Sequence, residues 1–565
     1  NSSLYEYEQA GDVKKVITGY HMIPFGPPPD PGNDPNVAVT SYDYNAFGDL
    51  TKMTDSHSVS RVFSYDANGN QKGSTFNWVD PNNANNIVTV TTTNIYNAAD
   101  QLEQSITPTG TTRSHYDILG RVDSSTDTLG GVTQTTFNAR GLVIQTTQPD
   151  GRITGTVYDA KGRTLYTDDP HFTIQAADGT HTIYDNDDRV TTTERLANVV
   201  IAIEDDPLVP GAKRTVLQSA GAIVSASSSD FDDAGRTRSS TDAAGHTVSF
   251  EYDKDSRQTA TVEIVAGQTL RTEATYDATG RQSSTKDALG HVTRYQYDAA
   301  GHVTKTIFAD GTTTQTGYDY RGFNISQTDQ LSRVTNYEYD RHGALKAVVL
   351  PETLDPETGN RVRPRYEYSY DIYANLFKIK EAKQRETNFT FDELNRQISR
   401  TLPHVDGQPD VTERQTFNSL GQFDTSTDFK GQITKYEYDS LGRIQHKKFY
   451  TDATAFQNGN VGAQVDYSYD QYDGNGNRHD TVTDNRGTTD NKYDLHGRLI
   501  QVAAPEGTIN YAYDPATGRH TRTWTDKSDI TYGYDDVGRL QTVTVTKRDG
   551  VTLPTPEVTT YRYSA

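Results

Sequence analysis

Short runs of residues rich in Thr, Val and Tyr recur along the whole chain, and each run ends at turn-forming residues. The run from His291 to Tyr297 is typical, because it alternates along its length with a period of two. That period places successive side chains on opposite faces of an extended strand. The pattern therefore predicts many short, half-buried β-strands.

A seven-residue phrase separates many of these runs: an aromatic residue, Asp or Asn, two variable residues, Gly, a polar residue and an apolar residue. Its leading aromatic residue recurs every 21 residues, as from Tyr116 to Phe137 to Tyr158. A fixed period of this kind indicates an array of structural repeats. The clearest repeat markers are Tyr116, Asp117 and Gly120; Tyr276, Asp277 and Gly280; Tyr438, Asp439 and Gly442; and Tyr534, Asp535 and Gly538.

A second turn signature lies about half a period from the first. Asp is followed three residues later by Gly, as in Asp287 to Gly290 and Asp428 to Gly431. The Asp side chain caps a type I turn, and Gly adopts the left-handed conformation that closes the turn with a bulge. One repeat is therefore predicted to be strand, turn, strand, turn. The predicted fold is all-β, a single antiparallel meander over residues 1–565.

Such a hairpin cannot bury its aromatic face alone, so neighbouring repeats must pack together. We expect the leading rings to stack as a ladder, with the Arg that follows the turn glycine beside them. A sheet with this many strands must coil, because flat sheets of many strands are unusual.

The composition agrees with a thin sheet instead of a deep core. Apolar residues make up 33% of the chain and include 36 Tyr. The net charge of −22 argues against nucleic acid as a partner, since phosphate binding needs clustered cations. No apolar run approaches the length of a transmembrane helix, and the first residues lack the features of a signal peptide. The absence of Cys excludes disulfides, thiol catalysis and thiolate metal sites.

Catalytic, cofactor-binding and metal-binding motifs are absent, so no such site and no cofactor is predicted. The segment from Asp473 to Asn477 resembles half of an EF-hand loop, but Arg478 stands where that loop needs Gly. The acidic run from Asp185 to Asp188 occupies an ordinary turn slot. The Tyr-Asp pair recurs in nearly every repeat, whereas a catalytic site needs one unique arrangement. We therefore interpret the pairs as scaffold and the chain as a non-enzyme.

These phrases resemble the YD repeats of the Rhs family, which includes bacterial polymorphic toxins, C components of insecticidal toxin complexes and teneurins. The resemblance implies a spiral β-sheet that closes into a hollow shell. In the bacterial members that shell holds a toxic C-terminal polypeptide, preceded by a DPxG-type self-cleavage motif. Asp355-Pro356 and Asp514-Pro515 resemble that motif only superficially, because one lies in an insertion and the other in a repeat turn.

The 21-residue rhythm is interrupted at residues 24–36, 196–229, 350–364 and 451–461. We expect these insertions at the rim or outer surface of the shell, where loops tolerate extra residues. Both ends of the sequence fall inside a repeat, at Tyr7 and at Tyr561. This suggests a segment of a longer polypeptide.

The leading functional hypothesis is a wall segment of a secreted bacterial Rhs-type toxin shell, which sequesters an attached toxic polypeptide. Its partners would be the remaining parts of that polypeptide and a delivery component, with no nucleic acid and no membrane insertion. The alternative is a cell-surface adhesion or recognition module that binds protein or glycan through its outer face or insertions. A carbohydrate-active enzyme on the concave face is the weakest hypothesis.

Overall fold

The structure is a computed structural model that describes residues 2–8, 11–20, 38–171, 177–243, 245–265, 268–403, 409–473, 477–494, 497–514, 518–535 and 539–562. Within these residues the chain forms 48 strands and one short helix. The predicted all-β fold is confirmed.

The strands are short, as the spacing of the turns requires. The first sixteen are β1 Ser2–Tyr7, β2 Val13–Tyr20, β3 Ala38–Tyr44, β4 Leu50–Thr54, β5 Ser60–Tyr65, β6 Gln71–Asp80, β7 Asn83–Tyr96, β8 Leu102–Thr107, β9 Gly110–Tyr116, β10 Val122–Thr126, β11 Val132–Phe137, β12 Val143–Thr147, β13 Ile153–Tyr158, β14 Thr164–Asp168, β15 Ala177–Tyr184 and β16 Val190–Asp205. The next sixteen are β17 Lys213–Ser219, β18 Ala222–Phe231, β19 Thr237–Thr241, β20 Thr247–Tyr252, β21 Gln258–Val265, β22 Gln268–Tyr276, β23 Gln282–Lys286, β24 Val292–Tyr297, β25 Val303–Ile307, β26 Thr313–Tyr318, β27 Asn324–Thr328, β28 Val334–Tyr339, β29 Leu345–Val349, β30 Thr353–Leu354, β31 Arg361–Val362 and β32 Arg365–Tyr370.

The remaining elements continue the same meander. They are β33 Leu376–Lys380, β34 Glu386–Phe391, β35 Gln397–Leu402, β36 Val411–Phe417, β37 Phe423–Thr427, β38 Ile433–Tyr438, β39 Ile444–Tyr450, α1 Ala453–Gln457, β40 Ala463–Tyr472, β41 Arg478–Asp484, β42 Gly487–Tyr493, β43 Leu499–Ala504, β44 Gly507–Tyr513, β45 His520–Trp524, β46 Asp529–Tyr534, β47 Leu540–Arg548 and β48 Val551–Thr560.

Within the described residues, consecutive strands pair antiparallel, which gives one sheet of 46 strands. Two departures interrupt the order: β16 pairs with both β17 and β18, and β30 pairs only with β31, so that β29 continues to β32. Among the described residues β1 pairs only with β2 and β48 only with β47, so the sheet is not closed by strand pairing.

The turns have the predicted geometry. At the Tyr276 repeat the N–H of Asp277 donates to the carbonyl of Arg281 at 2.8 Å, and the N–H of Gly280 donates to the carbonyl of Asp277 at 3.0 Å. Gly280 has a φ of 85°, and the strand register shifts between Thr275 and Tyr276. We call turns of this kind, which begin directly after the leading aromatic residue, YD turns. The Asp-x-x-Gly turns at the other end of each hairpin are called second turns.

Three of the four interruptions lie within the described residues, and they carry secondary structure of their own. In residues 196–229 the second half of β16 folds back with β17 as a flap, and Leu196, Val199 and Ile201 form a small buried cluster there. Residues 350–364 contain the β30–β31 pair, and residues 451–461 contain α1, which Asp452 caps. Residues 24–36 lie outside the described residues.

The YD turns form one edge of the coiled sheet and the second turns form the other, and these two edges meet. Nδ1 of His342, in the YD turn after β28, lies 3.0 Å from Oγ of Ser56 in the second turn after β4. These residues are 286 apart in sequence, and the contact between Tyr373 and Val79 spans 294 residues. One circuit therefore takes roughly 290 residues, and the chain completes nearly two circuits. We call the line where second turns of the first circuit contact YD turns of the second circuit the seam.

Candidate functional site

The repeat phrase is explained by hydrogen bonds around its Asp. In the Tyr116 repeat, Oδ1 of Asp117 accepts the backbone N–H groups of Leu119 and Arg121, at 2.9 and 3.0 Å. Oδ2 of Asp117 accepts a hydrogen bond from the Nε–H of Arg121 at 2.7 Å. The backbone N–H and then the guanidinium of Arg121 hold the pKa of Asp117 below its usual value. The Asp thus stays ionised and fixes both the turn and the Arg that follows it.

Each of these Arg side chains lies over the leading ring of the next repeat. The guanidinium carbon of Arg121 is 4.3 Å from the centre of the Phe137 ring, and that of Arg281 is 4.7 Å from the Tyr297 ring. Cation–π contacts of this kind contribute about 0.5–1 kcal/mol where they are exposed. The same contact joins further repeats, through Arg163, Arg189, Arg236, Arg257, Arg396, Arg443, Arg478 and Arg498.

The leading tyrosines tie each repeat to the one before it. The hydroxyl of Tyr116 donates to the carbonyl of Leu102 at 2.8 Å. Tyr276, Tyr438 and Tyr534 make equivalent bonds, of 2.6, 2.8 and 2.7 Å, to carbonyls of their preceding repeats. A repeat is therefore bonded backward by its Tyr and forward by its Arg. This double linkage is the physical meaning of the repeated phrase.

Direct stacking of successive leading rings was the wrong expectation for these repeats, because the residue after the turn glycine lies between them. In two repeats where that residue is not Arg, another flat side chain takes its place. His302 stacks on Tyr318 at a centroid distance of 4.6 Å, and Phe323 stacks on Tyr339 at 4.9 Å. In these two repeats a flat side chain without the Arg charge makes the contact with the next ring.

The predicted repeat markers that the structure describes lie in four separate repeats, at the same position in each hairpin, and do not converge on one site. Gly120, Gly280 and Gly442 have φ values of 80°, 85° and 78°, which an L side chain adopts only with strain. Gly538 lies outside the described residues. The markers thus act by repetition along the wall.

The seam is most extensive at the β6–β7 hairpin. Trp78 on β6 is 4% exposed and stacks on Tyr373, in the YD turn after β32, with ring centroids 6.2 Å apart. The N–H of Val79 donates to the hydroxyl of Tyr373 at 2.6 Å. A tryptophan buried against a turn of the other circuit anchors the two circuits to each other.

Further along the seam, smaller contacts repeat the arrangement. Gly442, in a YD turn of the second circuit, lies so close to Leu129, in a second turn of the first, that a Cβ there would be 2.6 Å from Leu129 Cδ1. Gly421 is related in the same way to Thr109, whose Cγ2 would lie 3.2 Å from a Cβ. In the part of the chain that the structure describes, the circuits therefore meet through turns and side chains, without strand pairing.

Sequence reasoning missed the seam, although the chain carries a signal for it. The second residue after the turn Asp or Asn is apolar or aromatic in successive YD turns of the second circuit: His342, Tyr373, Leu394, Leu420 and Leu441. At the same slot the first circuit mostly carries polar or small residues, among them Asn68, Ala99, Arg140, Lys161 and Asp187. This contrast marks the edge that is covered.

A buried acidic group lies beneath the flap and was also missed. Asp168 is 2% exposed, accepts the N–H of Gly155 at 2.5 Å, and has its pKa raised by burial. Arg195 pairs with Asp169 and lies 3.6 Å from Asp178. Asp168 is thus bonded to the backbone, and Asp169 and Asp178 lie within ion-pair distance of Arg195, which is a structural arrangement.

The other segments singled out in the sequence lie in turns. Asp185 pairs with Arg189 at 2.7 Å, and Asp473 pairs with Lys492 at 2.7 Å, while residues 474–476 lie outside the described part. Oδ1 of Asp355 accepts the N–H of Glu357 within its own turn. In the described ranges no three His, Asp or Glu side chains gather as metal ligands, and no helix has the length and apolarity to cross a bilayer.

Comparison with known families adds the decisive observation. The sequence model of the family described as RHS Repeat matches residues 231–268 and 276–313, which are repeats of the kind described above. The chain contains Rhs repeats. Comparison with curated protein sequences gave no match.

Solved structures match this chain over almost its whole length. A crystal structure of TcdB2-TccC3-TEV is 12% identical, with a TM-score of 0.56 over 98% of this chain and 33% of the other. The structure of the Tc holotoxin pore of Photorhabdus luminescens is 14% identical, with a TM-score of 0.39 over 96% of this chain and 31% of the other. The first match shows that the fold is shared. The chain described here spans about a third of the length of these matched chains.

Proposed function

We propose that this chain is a wall segment of a secreted bacterial toxin shell, and that the shell sequesters an attached toxic polypeptide. The observation that carries the proposal is the seam, because it shows that the sheet returns to its starting line after one circuit. A circuit of this length contains 23 strands of the wall, counted from β5 to β28 without the flap strand β17.

A wall with that many strands encloses space. Eight-stranded barrels fill with their own side chains, whereas barrels of 16–18 strands leave an aqueous channel. Strands lie about 4.8 Å apart, so a circuit of 23 strands is at least about 110 Å round, or about 35 Å across if circular. That width accommodates a polypeptide chain with its side chains.

The partners follow from this reading. The chain spans about a third of the matched TccC3-containing chain, so we propose that further segments of a longer Rhs-type polypeptide complete the shell. The enclosed toxin and a delivery component would be the functional partners, outside the producing cell. We propose no catalytic activity and no cofactor for this segment, since its recurring Tyr and Asp side chains are bonded within the repeat scaffold.

The second candidate, a recognition module, is favoured by one observation. A mostly apolar cleft lies beside the seam, between the tip of the β6–β7 hairpin at Pro81 and the aromatic side chains of Phe377, Phe389 and Phe391. Ile372, at the same cleft, is 50% exposed. Such a cleft suits an apolar side chain or the face of a sugar from a binding partner.

The test is a cryo-EM map of the intact parent protein as purified from its source. Polypeptide density inside the coil, together with a segment that resists protease until the wall is unfolded, is the expected result. An empty coil with partner density at the cleft would instead establish recognition and remove the shell proposal.

A further inference from the structure

Two histidines meet face to face across the seam. His57 lies in the second turn after β4, and His342 lies in the YD turn after β28. Their ring centroids are 3.8 Å apart and their planes differ by 20°. At the slot of His342, two later YD turns of the seam carry Leu420 and Leu441. The seam therefore has a titratable contact where it elsewhere has an aliphatic one.

The hydrogen bonds of His342 require a neutral ring. Nε of Arg341 donates to Nε2 of His342 at 2.9 Å, so Nε2 carries no proton. The ring proton is then on Nδ1, which lies 3.0 Å from Ser56 Oγ and donates to it across the seam. Burial, and then the neighbouring His57, lower the pKa of His342.

The charged groups beside the two histidines already take part in other hydrogen bonds. Asp55 and Asp340 each use Oδ1 to accept two backbone N–H groups of their own turns. The cations are Arg341, bound to the ring, and Arg321, whose guanidinium donates to the carbonyl of Asp340 at 2.9 Å. Protonation of His342 would therefore place a second cation beside Arg341 and remove the acceptor that Arg341 uses.

We propose that His57 and His342 form an acid-sensitive latch that holds the two circuits together at neutral pH and releases this part of the seam in mild acid. Protonated His342 would oppose the neighbouring cation Arg341 and would lose the hydrogen bond that Arg341 donates to its ring. The step consists of proton uptake and the loss of hydrogen bonds, and no other covalent bond forms or breaks.

The direction of the pH dependence follows from the neutral ring. The closed seam disfavours the proton, whereas the open seam leaves His342 near its ordinary pKa of about 6.5. The latch is therefore at full strength above about pH 6.5 and weakens as the pH falls below that value. Each unit by which the closed pKa lies below the open one raises the opening constant in acid about tenfold.

In a toxin shell this latch would let the wall loosen after entry into an acidic compartment. That use depends on the function proposed above. The latch itself is a property of the wall, and it can be measured whether or not a polypeptide is enclosed.

Trp78 provides a reporter for the test, because it is buried in the same seam and Trp524 is the only other tryptophan. In the intact protein carrying Trp524→Phe, we expect Trp78 emission to shift to longer wavelength between about pH 7.5 and about pH 5. Amide hydrogen exchange in residues 52–60 and 340–346, corrected for the intrinsic effect of pH, should increase over the same range.

Matched variants identify the group responsible. His342→Leu places at this slot the side chain that Leu420 and Leu441 provide, so the seam should form and lose its acid response. His57→Phe keeps a stacked ring and should lose part of the response. His302→Gln, a control outside the seam, should behave as the wild type does.

Two results would overturn the latch: an acid response that persists unchanged in His342→Leu and His57→Phe, or no response in the wild-type seam. A cryo-EM map with an empty coil, by contrast, would remove the shell proposal and leave the latch standing.

Discussion

The two circuits have the same YD turns but different surroundings. In the first circuit Phe47 and Leu119 occupy the second position after the turn Asn or Asp, and they are 91% and 70% exposed. In the second circuit Leu420 and Leu441 occupy the same position and are half-buried at the seam. Among the second turns, Leu129 lies against Gly442 of the second circuit, whereas Leu289, further along the first circuit, is 56% exposed. Local sequence thus builds identical turns, and the position along the coil decides which edge is covered.

The largest effect is expected at Trp78. Trp78→Ala removes a buried ring that packs on Tyr373, and such truncations cost about 3–5 kcal/mol. Phe47→Ala, at the exposed first-circuit edge, should change the free energy of unfolding by less than about 0.5 kcal/mol. Denaturant unfolding of both variants measures the difference. Equal losses of unfolding free energy in the two variants would mean that the seam adds nothing to the stability of the wall.

A smaller effect is expected from one substitution made at the two edges. Leu441→Ser should destabilise the protein by about 1–2 kcal/mol, because part of an apolar side chain loses its cover. Leu119→Ser should be nearly neutral, since Leu119 is exposed already. The shift in the unfolding midpoint of each variant is the measurement. A loss for Leu119→Ser as large as that for Leu441→Ser would show that the first-circuit edge is also covered in solution.

The smallest effect tests what the two circuits share. Tyr297→Phe and Tyr438→Phe each remove one hydroxyl-to-carbonyl bond between repeats, from the first and second circuit respectively. Both should cost about 1 kcal/mol, a typical net value for one hydrogen bond. Calorimetric unfolding of the two variants provides the comparison. Clearly unequal losses of unfolding free energy in the two variants would contradict the view that the circuits differ only at their edges.

The hairpins were predictable because their determinants are local. The 21-residue spacing from Tyr276 to Tyr339 predicts strands and turns, since Asp277 and Gly280 act within four residues of each other. The contact of Arg281 with Tyr297 could be expected in kind, because it joins adjacent repeats. The order of the ladder, with Arg between successive rings, could be established only from the side-chain positions in the structure.

The seam could not be predicted in the same way. Contact between His57 and His342 depends on the curvature added by 23 strands, and a small change per strand would move the meeting point by a whole hairpin. The flap also lay beyond the sequence argument, because the Val and Ile residues of 196–229 do not show which strands they cover. The sequence signalled the covered edge only through the apolar or aromatic residues at the second position after the turn Asp or Asn, from Tyr373 to Leu441.

The distance along the chain between seam partners has a consequence during synthesis. Hairpins of the meander can form as soon as each emerges, but Ser56 must wait for His342, which follows it by 286 residues. At a translation rate of about 5–20 residues per second, that delay is roughly 15–60 s. For that interval Trp78 and the neighbouring second turns face the cytosol uncovered. The nascent first circuit is thus a long-lived intermediate, and it is the stage at which a chaperone would have most to protect.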